Sequence, residues 1–170
     1  MNKDYVILVD EHDNEFGVME KMQAHQEGKL HRAISIVIVN SKKQLLLQQR
    51  AYHKYHSAGL WANTCCTHPK QGETTEITAK RRLLEEMGMV CDLEYKFNFI
   101  YHSTLSNQLI EHELDHVYVG NCDTLPLINP KEVASYCYAS IDDIEKDLYE
   151  NPQNYAVWFK PIFDKLKYTI

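Results

Sequence analysis

The sequence lacks the features that mark several common classes of protein. It contains no apolar run of about 18 residues, the length that a membrane-spanning helix needs. Its first residues do not form a charged segment followed by an apolar one, which is the pattern of a secretory signal. The five cysteines are an odd number and include no C-x-x-C pair, which argues against a disulfide framework and against a zinc knuckle. We therefore expect free thiols, no membrane partner and a cytoplasmic location.

The sequence also has no excess of basic residues. Lysine and arginine together number 18 against 24 aspartates and glutamates, and the net charge is −6. A nucleic-acid-binding protein needs basic residues to neutralise phosphates, so no nucleic-acid partner is expected. Glycine (six) and proline (five) are scarce, and no low-complexity tract or linker interrupts the chain. At 170 residues, the chain has the size of one domain with a proper core.

The residue pattern predicts short strands around one well-marked central helix, which indicates an α+β or layered α/β fold. The central helix, at 74–87, has Thr74 or Thr75 as its cap and Gly88 to end it. Its expected apolar stripe consists of Ile77, Leu83, Leu84 and Met87. Further helices are expected at 20–25, 141–149 (capped by Ser140) and 155–167. Strands are expected at 5–9, 16–18, 32–39 and 44–50 (a hairpin), 93–102 and 111–121 (around a Ser106-Asn107 turn), and 133–139.

Carboxylates occupy alternate positions of the strand predicted at 111–121. Glu111 and Glu113 should therefore point to one face, and Asp115 continues the acidic row. Such a row can be a plain solvated face, but on a β-rich run it favours a neutralising cation. Imidazoles from loops or element edges could complete a site for Mn²⁺, Zn²⁺, Fe²⁺ or Mg²⁺. The candidates are His25, His31 and His68.

A thiol and an imidazole are two residues apart at Cys66 and His68. A free thiol, with a pKa of about 8.5, can act as an acid, and its thiolate can act as a base or nucleophile. An inert buried cysteine is the alternative interpretation. If the segment is extended, Cys65 and Cys66 point in opposite directions, so only one of them can face a given pocket.

Opposite charges are spaced four residues apart on the central helix. Arg81 with Glu85, and Arg82 with Glu86, can form ordinary surface salt bridges that contribute about a few tenths of a kcal/mol. Alternatively, a carboxylate-bound Mg²⁺ beside guanidinium groups could hold a diphosphate. The other cations that could join them, or be plain surface residues, are Lys21, Arg50 and Lys54.

The central helix and the residues before it resemble the Nudix box, G-x5-E-x7-R-E-U-x-E-E-x-G-U. Two positions differ, since Thr67 replaces the leading glycine and Arg82 replaces the glutamate that follows the arginine. Hydrolytic Nudix enzymes use that glutamate in the metal cluster around the scissile phosphate, so its loss argues against hydrolysis. The matching residues are Glu73, Arg81, Leu83, Glu85, Glu86, Gly88 and Met89.

Over nearly its whole length, the chain is similar to the type I isopentenyl-diphosphate isomerases, a family within the Nudix superfamily. The resemblance implies an α+β Nudix-like fold with mixed β-sheets, a central Nudix-box helix and flanking helices. It also implies a single domain, 1–170, with a core at about 31–165 and an N-terminal cap at about 1–30. The motifs that match in order and spacing are Lys21-x3-His25, His31-Arg32-Ala33-Ile34-Ser35, Arg50-x3-Lys54, Leu60-Trp61-x-Asn63-x2-Cys66-x-His68-Pro69, Arg81-Arg82, Glu111-x-Glu113-x-Asp115 and Trp158.

The resemblance further implies the interconversion of isopentenyl diphosphate and dimethylallyl diphosphate through a tertiary carbocation. Cys66 and Glu113 would be the acid–base pair, with Tyr101 beside Glu113 and Trp158 closing the pocket. One divalent metal, Mn²⁺, Zn²⁺ or Mg²⁺, would bind His25, His31, His68, Glu111 and Glu113. Mg²⁺ that travels with the substrate diphosphate would bind Glu86. The residues that would contact the diphosphate are Lys21, Arg50, Lys54, Thr67 and Arg82.

Moving a carbon–carbon double bond requires adding a proton at one carbon and removing a proton from another, a task for two proton-transfer groups. The pocket should exclude water and be apolar and aromatic, with Trp61, Tyr101 and Trp158 as walls. A Nudix diphosphohydrolase acting on a nucleoside diphosphate derivative is the alternative function, and a catalytically silent metal-binding module is a third. We expect a small-molecule substrate as the partner, and a monomer or homodimer. The interval 121–132 indicates no function.

Overall fold

The computed structural model describes residues 4–105 and 107–170, which form an α+β fold. Its strands are β1 (Tyr5–Val9), β2 (Glu15–Glu20), β3 (His31–Val39), β4 (Leu45–Arg50), β5 (Trp61–Ala62), β6 (Cys65–Thr67), β7 (Glu94–Thr104), β8 (Ile110–Asn121) and β9 (Val133–Ala139). Its helices are α1 (Lys21–Glu27), α2 (Thr75–Met87), α3 (Ile141–Glu150) and α4 (Phe159–Leu166), with a 3₁₀ turn at Pro152–Asn154. The turn expected at Ser106-Asn107 includes Ser106, which lies outside the described residues. In the two described ranges, no helix has both the length and the apolar composition to cross a membrane.

The nine strands belong to one mixed sheet in which β3 is central. β8 runs parallel to β3 along its whole length, from the pair His31–Glu113 to the pair Val39–Asn121. Along its other edge, β3 pairs antiparallel with β1, then β6, then β4. The predicted hairpin of β3 and β4 is therefore present but short, because β4 pairs only with the last two residues of β3. β7 extends the sheet beyond β8, and β9 pairs with β4.

The two faces of this sheet bury two different cores. Ile36 of β3 packs on the side covered by α2, and the next residue, Val37, packs on the side covered by α3 and α4. The same alternation in β6 places Cys65 in the core beside α2 and Cys66 against the core beside α3 and α4. The expectation that the two thiols point in opposite directions is therefore confirmed, and the reason is the period of two residues in a strand.

The central helix α2 has the caps that the sequence predicted. The side chain of Thr74 accepts a hydrogen bond from the backbone N–H of Ile77 at 3.2 Å. Gly88 ends the helix in the left-handed conformation, with φ of 63°, and its N–H bonds to the carbonyl of Leu84. A side chain at Gly88 would also meet the backbone oxygen of Leu127 at 2.6 Å, so the position requires glycine for two reasons.

The predicted apolar stripe of α2 is half wrong. Leu83 and Met87 are buried as expected, but Ile77 is 57% exposed and Leu84 is 53% exposed. The buried face runs instead through Thr78, Ala79, Leu83, Glu86 and Met87. Its two polar residues, Thr78 and Glu86, form hydrogen bonds inside the protein. The pattern of apolar residues in the sequence cannot predict such hydrogen bonds.

The last helix is shorter than the predicted 155–167. It begins at Phe159, because Tyr155 is extended and forms a bridge to Trp61, and the N–H of Ala156 bonds to the carbonyl of Trp61 at 2.9 Å. These bonds to β5 compete with a helical conformation. α1 lies at Lys21–Glu27, not 20–25, whereas α3 follows its expected cap Ser140. The predicted strands end within two residues of their expected limits.

Candidate active site

Side chains from seven helices and strands, and from the loops between them, line a cavity of about 80 Å³, which continues into an outer cleft of about 700 Å³. The two spaces are continuous because they share Lys21, Lys54, Thr67, His68, Arg82 and Glu132. Tyr101 and Trp158 are walls of the inner cavity as expected, but Trp61 is not, since it packs against the core beside α3 and α4. The expected apolar character is wrong, because most of the other lining residues are polar or charged. The residues predicted for the site that line the inner cavity are Lys21, Arg50, Lys54, Cys66, Thr67, His68, Arg82, Glu86, Tyr101, Glu111, Glu113 and Trp158.

The five predicted metal ligands converge beside this cavity. The Nε2 atoms of His68 and His31 lie 2.8 and 3.4 Å from one oxygen of Glu113, and Nε2 of His25 lies 3.8 Å from Glu111. Ligand atoms of His25, His31, His68 and Glu113 all lie within 4.8 Å of one another. His31 reaches Glu113 because the parallel pairing of β3 and β8 places the two residues side by side. His25 comes from α1, and His68 follows β6.

The buried histidines of this group present free lone pairs to its centre. Nδ1 of His25 lies 2.7 Å from the carbonyl of Lys21, and Nδ1 of His31 lies 2.8 Å from the carbonyl of Lys29. A carbonyl only accepts, so both Nδ1 atoms carry the proton and both Nε2 atoms are left as acceptors. These Nε2 atoms are buried and have no hydrogen-bond partner. This is the arrangement in which metal-binding histidines are held, so the residues fit a divalent metal ion.

Electrostatics favour the same interpretation. Burial lowers the pKa of His25, and it lowers the pKa of His68 to about 3, so both imidazoles are neutral and able to bind metal. Burial, and then the charge of Glu113, raise the pKa of Glu111 well above its usual range. Burial opposes the ionisation of Glu113 too, but the contact with His68 outweighs it and holds the pKa of Glu113 low. Without a cation the pair therefore carries one charge, and a divalent ion would allow both carboxylates to ionise.

Cys66 faces the cavity and is held by three neighbours. The indole N–H of Trp158 donates to Sγ at 3.0 Å, and the thiol donates to Oδ1 of Asn63 at 3.0 Å. The hydroxyl of Ser35 lies 3.7 Å from the same sulfur. Burial raises the pKa of Cys66 well above its usual range, so at neutral pH the group is a thiol and carries a proton. Cys65, which is fully buried, does not line the cavity.

Glu113 and Tyr101, which the sequence predicted to be neighbours in the site, form a hydrogen-bonded pair in the same cavity. The hydroxyl of Tyr101 donates to Oε2 of Glu113 at 2.5 Å, and it lies 3.4 Å from Glu111. β7 and β8 pair Tyr101 directly with Glu113, which explains the contact. Asp115, the third residue of the acidic row, accepts from Ser35 at 2.7 Å and is fully buried. Burial raises the pKa of Asp115 to about 8, so it adds little charge to the site at neutral pH.

Four cations line the cavity, Lys21, Arg50, Lys54 and Arg82, and three of them also line the outer cleft. Burial lowers the pKa of Lys21, and the neighbouring cations Lys54 and Arg50 lower it further. The negative charge of Asp4 opposes this lowering but does not outweigh it. The Nε atoms of Arg50 and Arg82 are buried donors without an acceptor. Such donors are costly unless an anion binds them, so this wall suits a phosphate or diphosphate group.

Both predicted ion pairs of α2 are formed, but they face different environments. Arg82 contacts Glu86 inside the cavity, and Glu86 also accepts from Gln48 at 3.1 Å. Arg81 contacts Glu85 at 3.1 Å and makes a double hydrogen bond to Glu73, at 2.7 and 3.0 Å, outside the inner cavity. Arg81 therefore holds Glu73 and Glu85 of the Nudix box in place, whereas Arg82 lines the inner cavity.

Sequence reasoning missed three charged or titratable residues of the cavity, Tyr55, His56 and Glu132. Nε2 of His56 lies 3.2 Å from Glu111, and His25, His56 and Glu111 form a second group that could hold a metal. Burial lowers the pKa of His56, so it too is neutral. Glu132 lies between Lys54 and Arg82, although the interval 121–132 had indicated no function. All three residues come from loops, where the pattern of residues gives no direction to a side chain.

Comparison with known proteins agrees with this geometry. Residues 29–159 match the family model of the NUDIX domain. The chain is 55% identical over 161 residues to the isopentenyl-diphosphate Delta-isomerase of Pectobacterium atrosepticum, which covers 95% of this chain and 90% of that protein. It is 50% identical over 164 residues to isopentenyl-diphosphate Delta-isomerase 1 of Aromatoleum aromaticum, which covers 96% and 93%.

Solved structures share the fold at low sequence identity. DR0079 from Deinococcus radiodurans has a TM-score of 0.72 at 18% identity, over 87% of this chain and 90% of that one. The MutT protein from Methanosarcina mazei Go1 has a TM-score of 0.67, also at 18% identity, over 81% and 93%. Likeness at this identity shows the fold alone, whereas the curated relatives are half identical over almost the whole chain. The chain therefore belongs to the isopentenyl-diphosphate Delta-isomerase family of NUDIX-domain proteins.

Proposed function

We propose that this protein is an enzyme that interconverts isopentenyl diphosphate and dimethylallyl diphosphate. The observation that carries the proposal is the presence of two proton-transfer groups, the thiol of Cys66 and the Glu113–Tyr101 pair, in one small cavity that opens toward a cationic wall. A double bond moves when one group adds a proton to one carbon and the other group removes a proton from another carbon. In the reverse direction the two groups exchange roles.

Trp158 supports the charged intermediate of this reaction. Its indole N–H is bonded to Cys66, which holds the ring in the cavity wall. An aromatic face stabilises a nearby cation by about 0.5–2 kcal/mol, so it lowers the barrier to a tertiary carbocation. Tyr101, whose pKa is raised by burial and then by Glu113, stays protonated and orients the Glu113 carboxylate.

Metal and diphosphate are assigned to two separate parts of the site. One divalent ion, Mn²⁺, Zn²⁺ or Mg²⁺, would be held by His25, His31, His68, Glu111 and Glu113, and when bound it would supply positive charge that keeps both carboxylates ionised. Lys21, Arg50, Lys54, Thr67 and Arg82 would hold the diphosphate, and Glu86 would hold the Mg²⁺ that accompanies it. The buried donors without acceptors on Arg50 and Arg82 support this assignment.

Hydrolysis is less well supported, because Glu86 is the one carboxylate that α2, all of which the structure describes, presents to the inner cavity. Glu85 is bonded to Arg81 and Arg82 on the exposed side of α2, and Glu86 contacts Arg82. Arg82 also stands where a hydrolase has a carboxylate. The helix therefore presents a guanidinium group that clamps charge, and it does not present a cluster of carboxylates that would hold several metals at the phosphorus.

Incubation with isopentenyl diphosphate in D₂O tests the proposal. We expect deuterium to appear in both isomers, as read by NMR, and almost no release of phosphate. Phosphate release as fast as isomerisation, or faster, would favour the diphosphohydrolase. Absence of both reactions in the metal-loaded protein would favour a catalytically silent module.

The remaining expectations from the sequence stay predictions. They are a cytoplasmic location, a monomer or homodimer, no nucleic-acid partner, and a single domain whose cap precedes residue 31. The five free cysteines are compatible with a reducing compartment. Light scattering of the purified protein would distinguish a monomer from a homodimer.

A further inference from the structure

Glu132 is a carboxylate inside the wall of cations, and the proposed mechanism does not use it. Its side chain lines both the inner cavity and the outer cleft. Its Oε2 atom contacts the ammonium of Lys54 and lies 3.6 Å from a guanidinium nitrogen of Arg82. Lys54 and Arg82 are two of the residues assigned to the diphosphate, so Glu132 binds the groups that the substrate needs.

The backbone holds Glu132 firmly in this position. The N–H groups of Leu127 and Asn129 donate to the carbonyls of Met87 and Glu86 at the end of α2, both at 2.8 Å. At the other end of the loop, the carbonyl of Glu132 itself accepts from the N–H of Ala51 at 3.0 Å. The loop thus joins the helix that carries Arg82 to the segment that carries Lys54.

The charge of Glu132 persists at neutral pH. Burial opposes its ionisation, but the contacts from Lys54 and Arg82 outweigh burial and hold the pKa of Glu132 below its usual value. A permanent negative charge at this place does two things. It keeps two half-buried cations paired when no anion is bound, and it repels any anion that approaches them.

We propose that Glu132 competes with the diphosphate for Lys54 and Arg82. In the free enzyme the Glu132 carboxylate contacts these two cations, and this contact limits the affinity of the site for diphosphate. This inference rests on the proposed function, because it takes Lys54 and Arg82 as ligands of the diphosphate. Substrate and product carry the same diphosphate group, so an unrestrained cluster of four cations would hold both too long. When the Glu132 carboxylate contacts the two cations again, it favours release of the bound diphosphate compound.

The test is calorimetric titration of the metal-loaded protein with inorganic pyrophosphate in a buffer that contains Mg²⁺. Glu132→Gln keeps the size of the side chain and removes its charge, so we expect the Kd to fall by about tenfold. Glu132→Asp retains the charge, and its Kd should stay closer to the native value. Glu85→Gln is the matched control, because it removes an equal charge from a partner of Arg82 on the exposed side of α2. It should change the Kd by less than about threefold, since exposed ion pairs contribute little.

The outcomes separate this inference from the function on which it rests. Tighter binding in Glu132→Gln alone, with a lower KM and no gain in kcat, would support it. Weaker or unchanged binding in Glu132→Gln would overturn it, and weaker binding would show that Glu132 mainly positions the two cations. Equal tightening in Glu85→Gln would overturn it as well, by tracing the effect to net charge. If the native protein binds no pyrophosphate, the diphosphate site itself is wrong, and the proposed function fails first. The unfolding midpoint of each variant is measured in parallel, so that a change in Kd caused by loss of folded protein can be recognised.

Discussion

Replacing Cys66 with alanine should separate catalysis from structure at this site. The change removes the sulfur that accepts from Trp158 and donates to Asn63, both at 3.0 Å, and with it one of the two proposed proton-transfer groups. General acid–base catalysis typically contributes about 10²–10⁴-fold to a rate, so kcat should fall by about that factor. The expected loss of transition-state stabilisation is about 3–5 kcal/mol.

The same change also has a structural cost, which the assay must separate. Asn63 would lose a donor and Trp158 an acceptor, and each unpaired buried group costs about 1–3 kcal/mol. Cys66→Ser is the variant that resolves this, because its hydroxyl can make both hydrogen bonds and should restore the free energy of unfolding. It should not restore kcat, since a hydroxyl is a much weaker acid than a thiol. Urea unfolding and the NMR isomerisation assay together report the two quantities.

Cys65→Ala supplies the matched control in the neighbouring residue. Cys65 is fully buried in the core beside α2, so its loss leaves a small cavity and should cost about 1 kcal/mol of stability. Because its thiol does not face the cavity, kcat should stay near the native value. The reasoning would be refuted if Cys65→Ala lost activity while Cys66→Ala kept it, since the strand would then present the other thiol to the substrate.

Three further predictions concern metal, diphosphate and acid stability. The native protein should contain about one equivalent of a tightly bound divalent metal by elemental analysis, and the double variant His25→Ala, His68→Ala should lose it; unchanged metal content would remove these two residues from the ligand set. Arg82→Glu should raise the Kd for pyrophosphate by at least tenfold or so, because it adds like charge and removes a donor; an unchanged Kd would place the diphosphate elsewhere. Hydrogen bonds from Arg81 lower the pKa of Glu73 from 4.5 to about 2, so Glu73 contributes stability that is present above about pH 4.5 and is lost as the pH falls toward 2. Glu73→Gln should therefore have a lower free energy of unfolding than the native protein at pH 7, and this difference should disappear at pH 2. Chemical unfolding at both pH values measures it, and a difference that does not change with pH would contradict the link between the pKa of Glu73 and stability.

The parts of the site that lie on regular elements could be predicted from the sequence. Glu111 and Glu113 alternate along β8, and a strand turns alternate residues to one face, so their convergence follows from the period alone. The caps of α2, Thr74 and Gly88, are likewise local signals that neighbouring residues in the chain determine. Nothing distant in the sequence has to be known for either conclusion.

The residues that were missed depend on contacts between distant segments. His56 reaches Glu111 because the loop after β4 folds over the cavity, and Glu132 faces it because the N–H of Ala51 holds its carbonyl. The exposed Ile77 of α2 was misassigned for a related reason, since Glu86 turns inward to meet Gln48 and Arg82. A buried polar partner reverses the usual inference from hydrophobicity, and the sequence does not show where that partner lies.

The central strand β3 explains why this fold can separate proton chemistry from phosphate binding. Its parallel pairing with β8 places His31 beside Glu113, and its antiparallel pairing with β6 places Ser35 beside Cys66. Both proposed proton-transfer groups are therefore positioned by the register of one strand, and a slip of one residue would turn Glu113 away from the cavity. α2 contributes Arg82 and Glu86 from a different element that packs on the sheet through Leu83 and Met87. The Nudix-box helix can thus carry an arginine in place of a carboxylate without any change in the strands that hold the proposed acid and base.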